Sequence, residues 1–474
     1  MVPYQVGVGG YGGTICAYHA AKNKTISIDF DSRAPLAFKP NLYTDPAKAQ
    51  HGPLAVSVPA IVAGLDRILR ELGTKSFEAV CAPAITLAEN GFPVDSALKR
   101  AMDELVQSGD ANSIRALLPD GKAIAVGQLW VQKDLAALLK RIANDPASFY
   151  SGDIPKAICS RVKEMGGILD EQDFAQYEPK VTEPVSIDYR GYTLFTPPPP
   201  AGGLTALCTL KTLEQFDLSH LPPWGAQYLE LFAEATKRCW AERRQYFGDP
   251  DFVKIPIEQL LSPDTAKQRA ASVRQGHWAQ THPSDPSNHT VNIVATDAHH
   301  NLVSLTLTQG DTWGSRVGIP GLGLMLGHGM SRFTYSSQER NSPNAPAPGK
   351  RVQHNMSPMV LLKNSKPYGA IGLPGGTRIV TVTGQLAASV IDFHATPAQA
   401  IKAPRIHTEG PEPLWLSPAV PKAVADELEL MGHQVRRNQG IGGAANVALL
   451  DESSSRIQIA SAYGDDAVAI RNAE

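Results

Sequence analysis

Two stretches of alternating apolar and polar residues stand close together in the second half of the chain. In residues 290–296 the apolar Val291 and Ile293 alternate with polar positions, and residues 302–308 repeat the pattern. A period of two is typical of β-strands that bury one face. The two stretches flank a short polar segment centred on His299, so the sequence predicts a β-hairpin.

The turn determines which residues of the two strands face each other. If residues equidistant from His299 are paired, Thr290 lies opposite Thr308 and Asn292 lies opposite Thr306. Opposed side chains of an antiparallel pair approach within roughly 5 Å, which would let the Thr308 hydroxyl hydrogen-bond that of Thr290. The pattern alone also fits an ordinary hairpin whose threonines face solvent, because β-branched residues are common in strands.

Helical periodicity indicates two further elements, and aperiodic polar segments indicate loops. Apolar residues recur at helical spacing from Ala226 to Tyr246, and the run from Thr377 to Phe393 also predicts a helix. The segment from Thr281 to Asn288 has no period and is expected to be a mobile loop. A second loop, Ser336 to Lys350, contains three prolines.

Composition favours a soluble globular protein. The 474 residues include 44 Lys plus Arg against 46 Asp plus Glu, and a net charge of −2 argues against nucleic acid or an anionic membrane as a partner. The five cysteines are scattered, so buried free thiols are expected and a disulfide framework or zinc site is not. No apolar run reaches the roughly 18 residues of a spanning helix. No cofactor or metal is predicted.

Three motifs at fixed spacings resemble the gamma-glutamyltransferase (gamma-glutamyltranspeptidase) family of N-terminal nucleophile hydrolases. Thr290 falls on the family's nucleophile, before which these proteins cut their own precursor. Thr308 falls on the family's second threonine, which hydrogen-bonds the nucleophile, and Leu373 to Arg378 matches the oxyanion motif. Landmarks in residues 28–30 and 248–254 extend the resemblance over nearly the whole chain.

The resemblance implies an α+β fold, a four-layer αββα sandwich made by one domain. Residues 1–289 would form the large-subunit region and residues 290–474 the small-subunit region, and the two fragments would stay together as a heterodimer after cleavage. The family's opening helix and strand have no counterpart before the glycine-rich segment Gly7 to Gly13, which is expected to be a packing turn. Either the gene model is truncated or the protein lacks that opening. No secretory signal is visible, which favours the cytoplasm unless a preceding segment carries one.

The implied chemistry depends on a threonine at an amino terminus. Its hydroxyl is a poor nucleophile until a base removes the proton, and an α-amino group with a pKa of about 7.7–8.0 can do so near neutral pH. Scission of the bond between His289 and Thr290 would create that amine. Thr290 would then form an acyl-enzyme, while the backbone N–H groups of Gly375 and Gly376, before the predicted helix, would stabilise the oxyanion.

The sequence departs from the family at the positions that hold the glutamyl group. Relatives that use glutathione bind its α-carboxylate with an arginine and paired serines. The matching residues here are Asp31, His354 and Asn355. An arginine two residues on, Arg33, is the candidate to replace the missing arginine.

At the other end of the pocket the charge also changes. Relatives bind the α-amino group with an asparagine, a glutamine and an aspartate, and the matching residues are Gly310, Gly329 and Arg332. A glutamyl head in the usual orientation would meet like charge at both ends. Arg332 either binds a carboxylate in a different pose or pairs with Asp31 and fills the pocket.

These changes predict a small-molecule amide substrate with a non-glutamyl acyl group. At the place of the family's lid the loop from Ser336 to Lys350 is several residues shorter, which predicts a more open pocket. Three alternatives remain: a true γ-glutamyl hydrolase or transferase, a member that cleaves a carbon–carbon bond, and an unprocessed, catalytically silent protein that binds a ligand.

Overall fold

The computed structural model of the chain describes residues 2–278, 290–335, 341–441, 444–450, 457–463 and 466–467. The predicted loop from Thr281 to Asn288 lies outside the described residues, as do His289 and the first five residues of the loop from Ser336 to Lys350.

The described residues form nineteen β-strands and fourteen α-helices. The strands are β1 Gly12–His19, β2 Lys24–Asp29, β3 Phe92–Pro93, β4 Leu129–Trp130, β5 Lys180–Thr182, β6 Val185–Tyr189, β7 Tyr192–Thr196, β8 Val291–Thr296, β9 Leu302–Thr308, β10 Gly318–Ile319, β11 Leu324–Met325, β12 Met359–Lys363, β13 Lys366–Gly372, β14 Ile406–His407, β15 Leu414–Leu416, β16 Val435–Arg437, β17 Asn446–Leu450, β18 Ile457–Tyr463 and β19 Asp466–Ala467. The helices are α1 Ile61–Leu72, α2 Phe77–Asn90, α3 Ser96–Ser108, α4 Ala111–Leu117, α5 Lys133–Asn144, α6 Asp153–Glu164, α7 Glu171–Ala175, α8 Gly203–Leu213, α9 Ala226–Tyr246, α10 Ile257–Leu261, α11 Pro263–Arg274, α12 Arg378–Asp392, α13 Pro397–Lys402 and α14 Lys422–Leu430.

Two antiparallel sheets carry the fold, and each takes strands from both regions of the chain. The first has the order β5-β2-β1-β9-β8, in which β1 pairs with β9. The second has the order β19-β18-β17-β13-β12-β7-β6, in which β7 pairs with β12. Strands before and after residue 290 therefore hydrogen-bond directly to each other in both sheets.

The two sheets pack face to face, and helices cover the outer face of each. Ile61 of α1 packs on Ile15 and Ile28 of the first sheet. The helices α8, α9 and α12 contribute their apolar side chains to the core on the outer side of the second sheet. This is the α+β, four-layer αββα arrangement expected from the sequence. No helix within the described ranges has the length and apolar character needed to cross a bilayer.

The polar side chains of the central hairpin lie between the two sheets. Ser304 is fully buried, and its hydroxyl donates a hydrogen bond across the gap to the carbonyl of Ile371 (2.8 Å). The side-chain oxygen of Asn292 accepts a hydrogen bond from Asn446 of the second sheet (3.1 Å). The apolar Ile293, by contrast, is 48% exposed. The interpretation in which the polar face meets solvent is therefore wrong, because the second sheet covers that face and supplies its hydrogen-bond partners.

Both sequence-predicted helices are present. Helix α9 has the predicted bounds, Ala226–Tyr246, and α12 begins at Arg378 and ends at Asp392, one residue inside the prediction at each end. Every residue of α12 from Arg378 to Ile391 is buried. The helix is thus a rigid support for the loop that precedes it.

A buried cluster of charged side chains joins α9 to the last described residues before the predicted cleavage loop. The Lys237 ammonium lies 2.7 Å from Glu412, 2.9 Å from Glu234, 3.3 Å from His277 and 3.5 Å from His433. Three of these residues could offer ligand atoms to a metal ion, but the ammonium already lies among them. The Lys237 ammonium is therefore the cation of this cluster, and its contact with His277 holds that residue in place.

His433 should make the stability of this cluster sensitive to alkaline pH. Burial acts to lower its pKa, but hydrogen bonds to Glu230 and Glu412 outweigh burial and raise the pKa of His433 to about 8. Because the unfolded imidazole has a pKa of about 6.5, this contribution to stability is complete below that pH and is lost as the pH rises through 8. We expect the thermal unfolding midpoint to fall between about pH 7 and pH 9, and to fall less in His433→Gln. Equal pH dependence in the two proteins would contradict this.

Candidate active site

Thr290 and Thr308 lie side by side at one end of the hairpin. Strands β8 and β9 pair in the predicted register, with Asn292 opposite Thr306, so that prediction is confirmed. The Thr290 hydroxyl donates to the Thr308 hydroxyl over 3.4 Å, and the N–H of Gly310 donates to the same Thr308 oxygen over 2.9 Å. Both threonines are buried. The arrangement holds one hydroxyl in place beside another at the residue that directly precedes β8.

The loop between β13 and α12 brings glycine amides to the same end of the sandwich. Gly372, the last residue of β13, faces the side chain of Asn292, two residues from Thr290. Gly375 and Gly376 follow with φ of 141° and 61°, angles that favour glycine. Neither N–H donates a hydrogen bond to any residue that the structure describes. Since α12 begins two residues later, its amino-terminal end favours negative charge here.

Arg332 brings a positive charge to the site and is held by its neighbours. Its guanidinium lies 3.2 Å from Nε2 of His328 and 3.5 Å from the carboxylate of Asp311. Nδ1 of His328 faces the Gln50 carbonyl (2.9 Å), which places its proton on Nδ1, and Nε2 accepts from the Asp311 N–H (2.9 Å). Burial, helped by the Arg332 charge, lowers the pKa of His328 to about 3, so the ring is neutral. Arg332 forms an ion pair with Asp311, and its charge also counteracts the rise in the pKa of Asp31. The alternative in which Arg332 pairs with Asp31 stays a prediction.

Other side chains fill the space next to two predicted pocket glycines. A Cβ placed on Gly310 would lie 1.8 Å from the ring of His328. A Cβ placed on Gly329 would lie 2.1 Å from the hydroxyl of Ser57 and 2.5 Å from that of Ser32. The two glycines therefore do not open a cavity. The His328 ring fills the space beside Gly310, and the Ser32 and Ser57 hydroxyls fill the space beside Gly329.

This packing predicts that Gly310→Ala destabilises the protein. Gly310 has φ of 99°, and the added methyl group would force the His328 ring to move. Overpacking of this kind costs about 1–3 kcal/mol. Gly321→Ala is the matched control, because Gly321 has φ of 76° and nothing within 4 Å of its Cβ position. Denaturant unfolding should show a lower stability for Gly310→Ala than for Gly321→Ala, and equal stabilities would contradict the packing.

Asp31 and His354 face each other in a buried pair. Nε2 of His354 lies 3.3 Å from Oδ2 of Asp31, and both side chains are almost fully buried. Burial, together with the charge of Asp29, raises the pKa of Asp31 well above its usual range, and burial lowers the pKa of His354 to about 4. Neither residue supplies a positive charge at the end of the pocket where the family resemblance places a carboxylate.

The remaining two predicted pocket residues, Arg33 and Asn355, contact other groups of the protein. The Arg33 guanidinium lies 3.5 Å from the Glu178 carbonyl and over the ring of Tyr177. This placement argues against the prediction that Arg33 replaces the missing arginine. The side-chain oxygen of Asn355 accepts a hydrogen bond from the Arg243 guanidinium (3.0 Å), so it holds that buried arginine in place.

Two residues near the centre are not evident from the sequence. The hydroxyl of Tyr11 neighbours both Thr308 and Arg332, although its glycine-rich segment suggests only a packing turn. His328 lies between two glycines with no periodic pattern, so its contact with Arg332 has no signal in the sequence.

The family model for gamma-glutamyltranspeptidase matches residues 1–469. The chain belongs to the gamma-glutamyltranspeptidase family. Members of this family act on amides as hydrolases or transferases, and this chain is an enzyme of that class.

Two curated relatives show the range of the gamma-glutamyltranspeptidase family. The glutathione hydrolase proenzyme of Bacillus subtilis (strain 168) is 30% identical over 486 residues, which cover 96% of this chain and 82% of the relative. The acylase ACY 1 proenzyme of Pseudomonas sp. (strain SE83) is 33% identical over 463 residues, which cover 94% of this chain and 82% of the relative. Both are named as proenzymes.

A solved structure of a similar protein supports the fold. The cephalosporin acylase from Bacillus halodurans matches with a TM-score of 0.90 and 27% identity, over 99% of this chain and 88% of that chain. The gamma-glutamyltranspeptidase of Helicobacter pylori matches with a TM-score of 0.54 and 32% identity, over 56% of this chain and 79% of that chain.

Proposed function

We propose that this protein is an autoprocessing hydrolase with an amino-terminal threonine nucleophile, and that it cleaves a non-glutamyl acyl amide through an acyl-enzyme. The observation that carries the proposal is the buried hydroxyl pair of Thr290 and Thr308, 3.4 Å apart. The relatives named as proenzymes support maturation by cleavage.

Maturation would use the hydroxyl of Thr290. Its oxygen attacks the carbonyl carbon of His289, the C–N bond breaks, and the hydroxyl proton passes to the nitrogen, which leaves an ester and the free α-amino group of Thr290. Water then hydrolyses the ester, which releases a carboxylate on the large fragment and restores the Thr290 hydroxyl. The two fragments remain as a heterodimer, because both sheets contain strands from each.

Catalysis would follow the same order of bond changes on a substrate. The new α-amino group accepts the Thr290 hydroxyl proton while the oxygen attacks the amide carbonyl. The N–H groups of Gly375 and Gly376 stabilise the oxyanion, a contribution commonly worth on the order of 100-fold or more per donor. The amine then leaves with the proton, and water attacks the acyl-enzyme to release the acid.

The charges of the pocket favour an acyl group that lacks an α-ammonium. Arg332 repels an ammonium at the position where glutathione-using relatives carry an anion, and an arginine in a protein cannot be deprotonated to relieve this. The pair of Asp31 and His354 offers no cation for an α-carboxylate. An acyl group that presents its own carboxylate to Arg332 fits better. The acylases among the relatives support an acyl amide other than a γ-glutamyl one.

The proposal is tested by incubating purified protein and separating it under denaturing conditions. We expect two fragments, and amino-terminal sequencing of the smaller one should begin at Thr290. Acyl anilides with a neutral, a carboxylate-bearing and a γ-glutamyl acyl group then test the pocket. A full-length chain that stays uncut and still hydrolyses an amide would refute the mechanism. Robust turnover of the γ-glutamyl anilide would refute the pocket argument and favour a glutathione hydrolase.

A further inference from the structure

Tyr11 is a buried aromatic residue beside the threonine pair, and the proposed reaction does not use it. It directly precedes β1, whose first residue, Gly12, pairs with Thr308 across the first sheet. The side chain is 4% exposed, and its ring centroid lies 6.5 Å from that of His328. The backbone register thus places Tyr11 one residue from the partner of Thr308.

The Tyr11 hydroxyl joins two groups of the active site. Its hydrogen-bond partners are the side chains of Thr308 and Arg332. A guanidinium carries donors only, so the phenol oxygen accepts from Arg332. Burial nevertheless dominates and raises the pKa of Tyr11 to about 12, so the phenol keeps its proton near neutral pH.

The direction of these hydrogen bonds follows from the contacts of Thr308. Its oxygen accepts from the N–H of Gly310 (2.9 Å) and from the hydroxyl of Thr290 (3.4 Å). A hydroxyl has two acceptor lone pairs and one proton. Because Thr308 accepts these two bonds, its hydrogen bond with Tyr11 uses the Thr308 proton, and the phenol oxygen is the acceptor.

We propose that Tyr11 is a positioning residue, which couples Arg332 to Thr308 and holds the Thr308 hydroxyl in the orientation that accepts a hydrogen bond from Thr290. It acts through Thr308 and does not itself touch the reacting carbonyl. With the Thr308 oxygen fixed, the Thr290 hydroxyl is held in one orientation before the reaction, with a lone pair of its oxygen facing the carbonyl, and the α-amino group takes the proton during the attack. This role rests on the proposed function.

Tyr11→Phe removes the hydroxyl and keeps the ring. We expect kcat to fall about 10-fold and KM to stay within about twofold, because the lost hydrogen bond orients a catalytic group and does not bind substrate. Tyr18→Phe is the matched control. Tyr18 lies in β1, is 5% exposed and donates to the Asn23 side chain (2.9 Å). Its loss should leave both constants unchanged.

A double-mutant cycle separates positioning from general support of the fold. In a Thr308→Ala background, Tyr11→Phe should lower kcat by no more than about twofold, because its effect passes through the removed hydroxyl. The same cycle is measured on the rate of precursor cleavage, which gives a second readout if turnover by Thr308→Ala is too slow. Independent effects of the two substitutions, an unchanged kcat in Tyr11→Phe, or loss of its folded structure would each overturn the role.

Failure of the proposed function gives a different result. A wild-type chain that neither cuts itself nor hydrolyses any amide would refute the nucleophile mechanism. An active, self-cleaving wild type with an equally active Tyr11→Phe would refute only the role of Tyr11.

Discussion

An alanine at position 290 is expected to leave the chain in one piece and to abolish amide turnover. The substitution removes the oxygen proposed to attack both the peptide carbonyl and the substrate. The remaining hydroxyl of the pair, that of Thr308, belongs to a residue inside the chain, so it has no α-amino group to take its proton. Loss of a covalent nucleophile lowers kcat by on the order of 10⁶-fold in a well-studied serine protease. Denaturing electrophoresis and an anilide assay on the same sample measure the two consequences together.

Two further variants show whether the effect belongs to the hydroxyl. Thr290→Ser keeps a hydroxyl group at the same position, so cleavage and turnover should persist. Thr296→Ala removes a half-buried threonine at the far end of β8, and it should behave like the wild type. Hydrolysis by an uncut Thr290→Ala protein would show that another residue is the nucleophile.

Arg332→Gln is expected to change the choice of substrate. A hydrogen bond to a charged group is worth about 1.5–3 kcal/mol, or roughly 10- to 150-fold in a rate. The variant should therefore lose about 10- to 100-fold in kcat/KM for an acyl group with a carboxylate. For a neutral acyl group of the same length the loss should be much smaller. The ratio of the two kcat/KM values is the quantity to compare with the wild type.

Arg316→Gln is the matched control for this comparison. Arg316 forms an ion pair with Glu104 (2.6 Å) and is partly exposed, so its replacement removes a charge without touching the pocket. It should leave the ratio unchanged. If Arg332→Gln lowers the two kcat/KM values equally, the guanidinium supports the structure of the site and does not recognise substrate charge.

The elements that the sequence predicts well are those determined by neighbouring residues. The pairing of Asn292 with Thr306 follows from two alternating strands and a short turn, because the turn length alone sets the register. Helix α9 has its predicted bounds for a similar reason, since apolar residues at helical spacing run from Ala226 to Tyr246.

The features that the sequence does not predict depend on residues that are distant along the chain. Alternation cannot show which face of the hairpin is covered, and here Asn446, more than 150 positions away, satisfies the polar side chain of Asn292. The partners of Arg332 are determined by the turn at Gly310, which brings Asp311 and His328 together. The sequence does not identify Tyr11 as a neighbour of Thr308, because that contact depends on how β1 and β9 pair.

The strand order has a consequence for how the protein unfolds and for whether its two fragments can separate. The junctions of β1 with β9 and of β7 with β12 each join material from the two sides of Thr290. Cleavage of the peptide bond before Thr290 would leave the backbone hydrogen bonds of these two strand pairs intact. The cleaved molecule should therefore unfold in a single cooperative transition, and its two fragments should not exchange with those of another molecule. Either half synthesised alone would expose unpaired strand edges of the kind that aggregate, so the proposed two-piece enzyme would have to be made as one continuous chain and cut after folding.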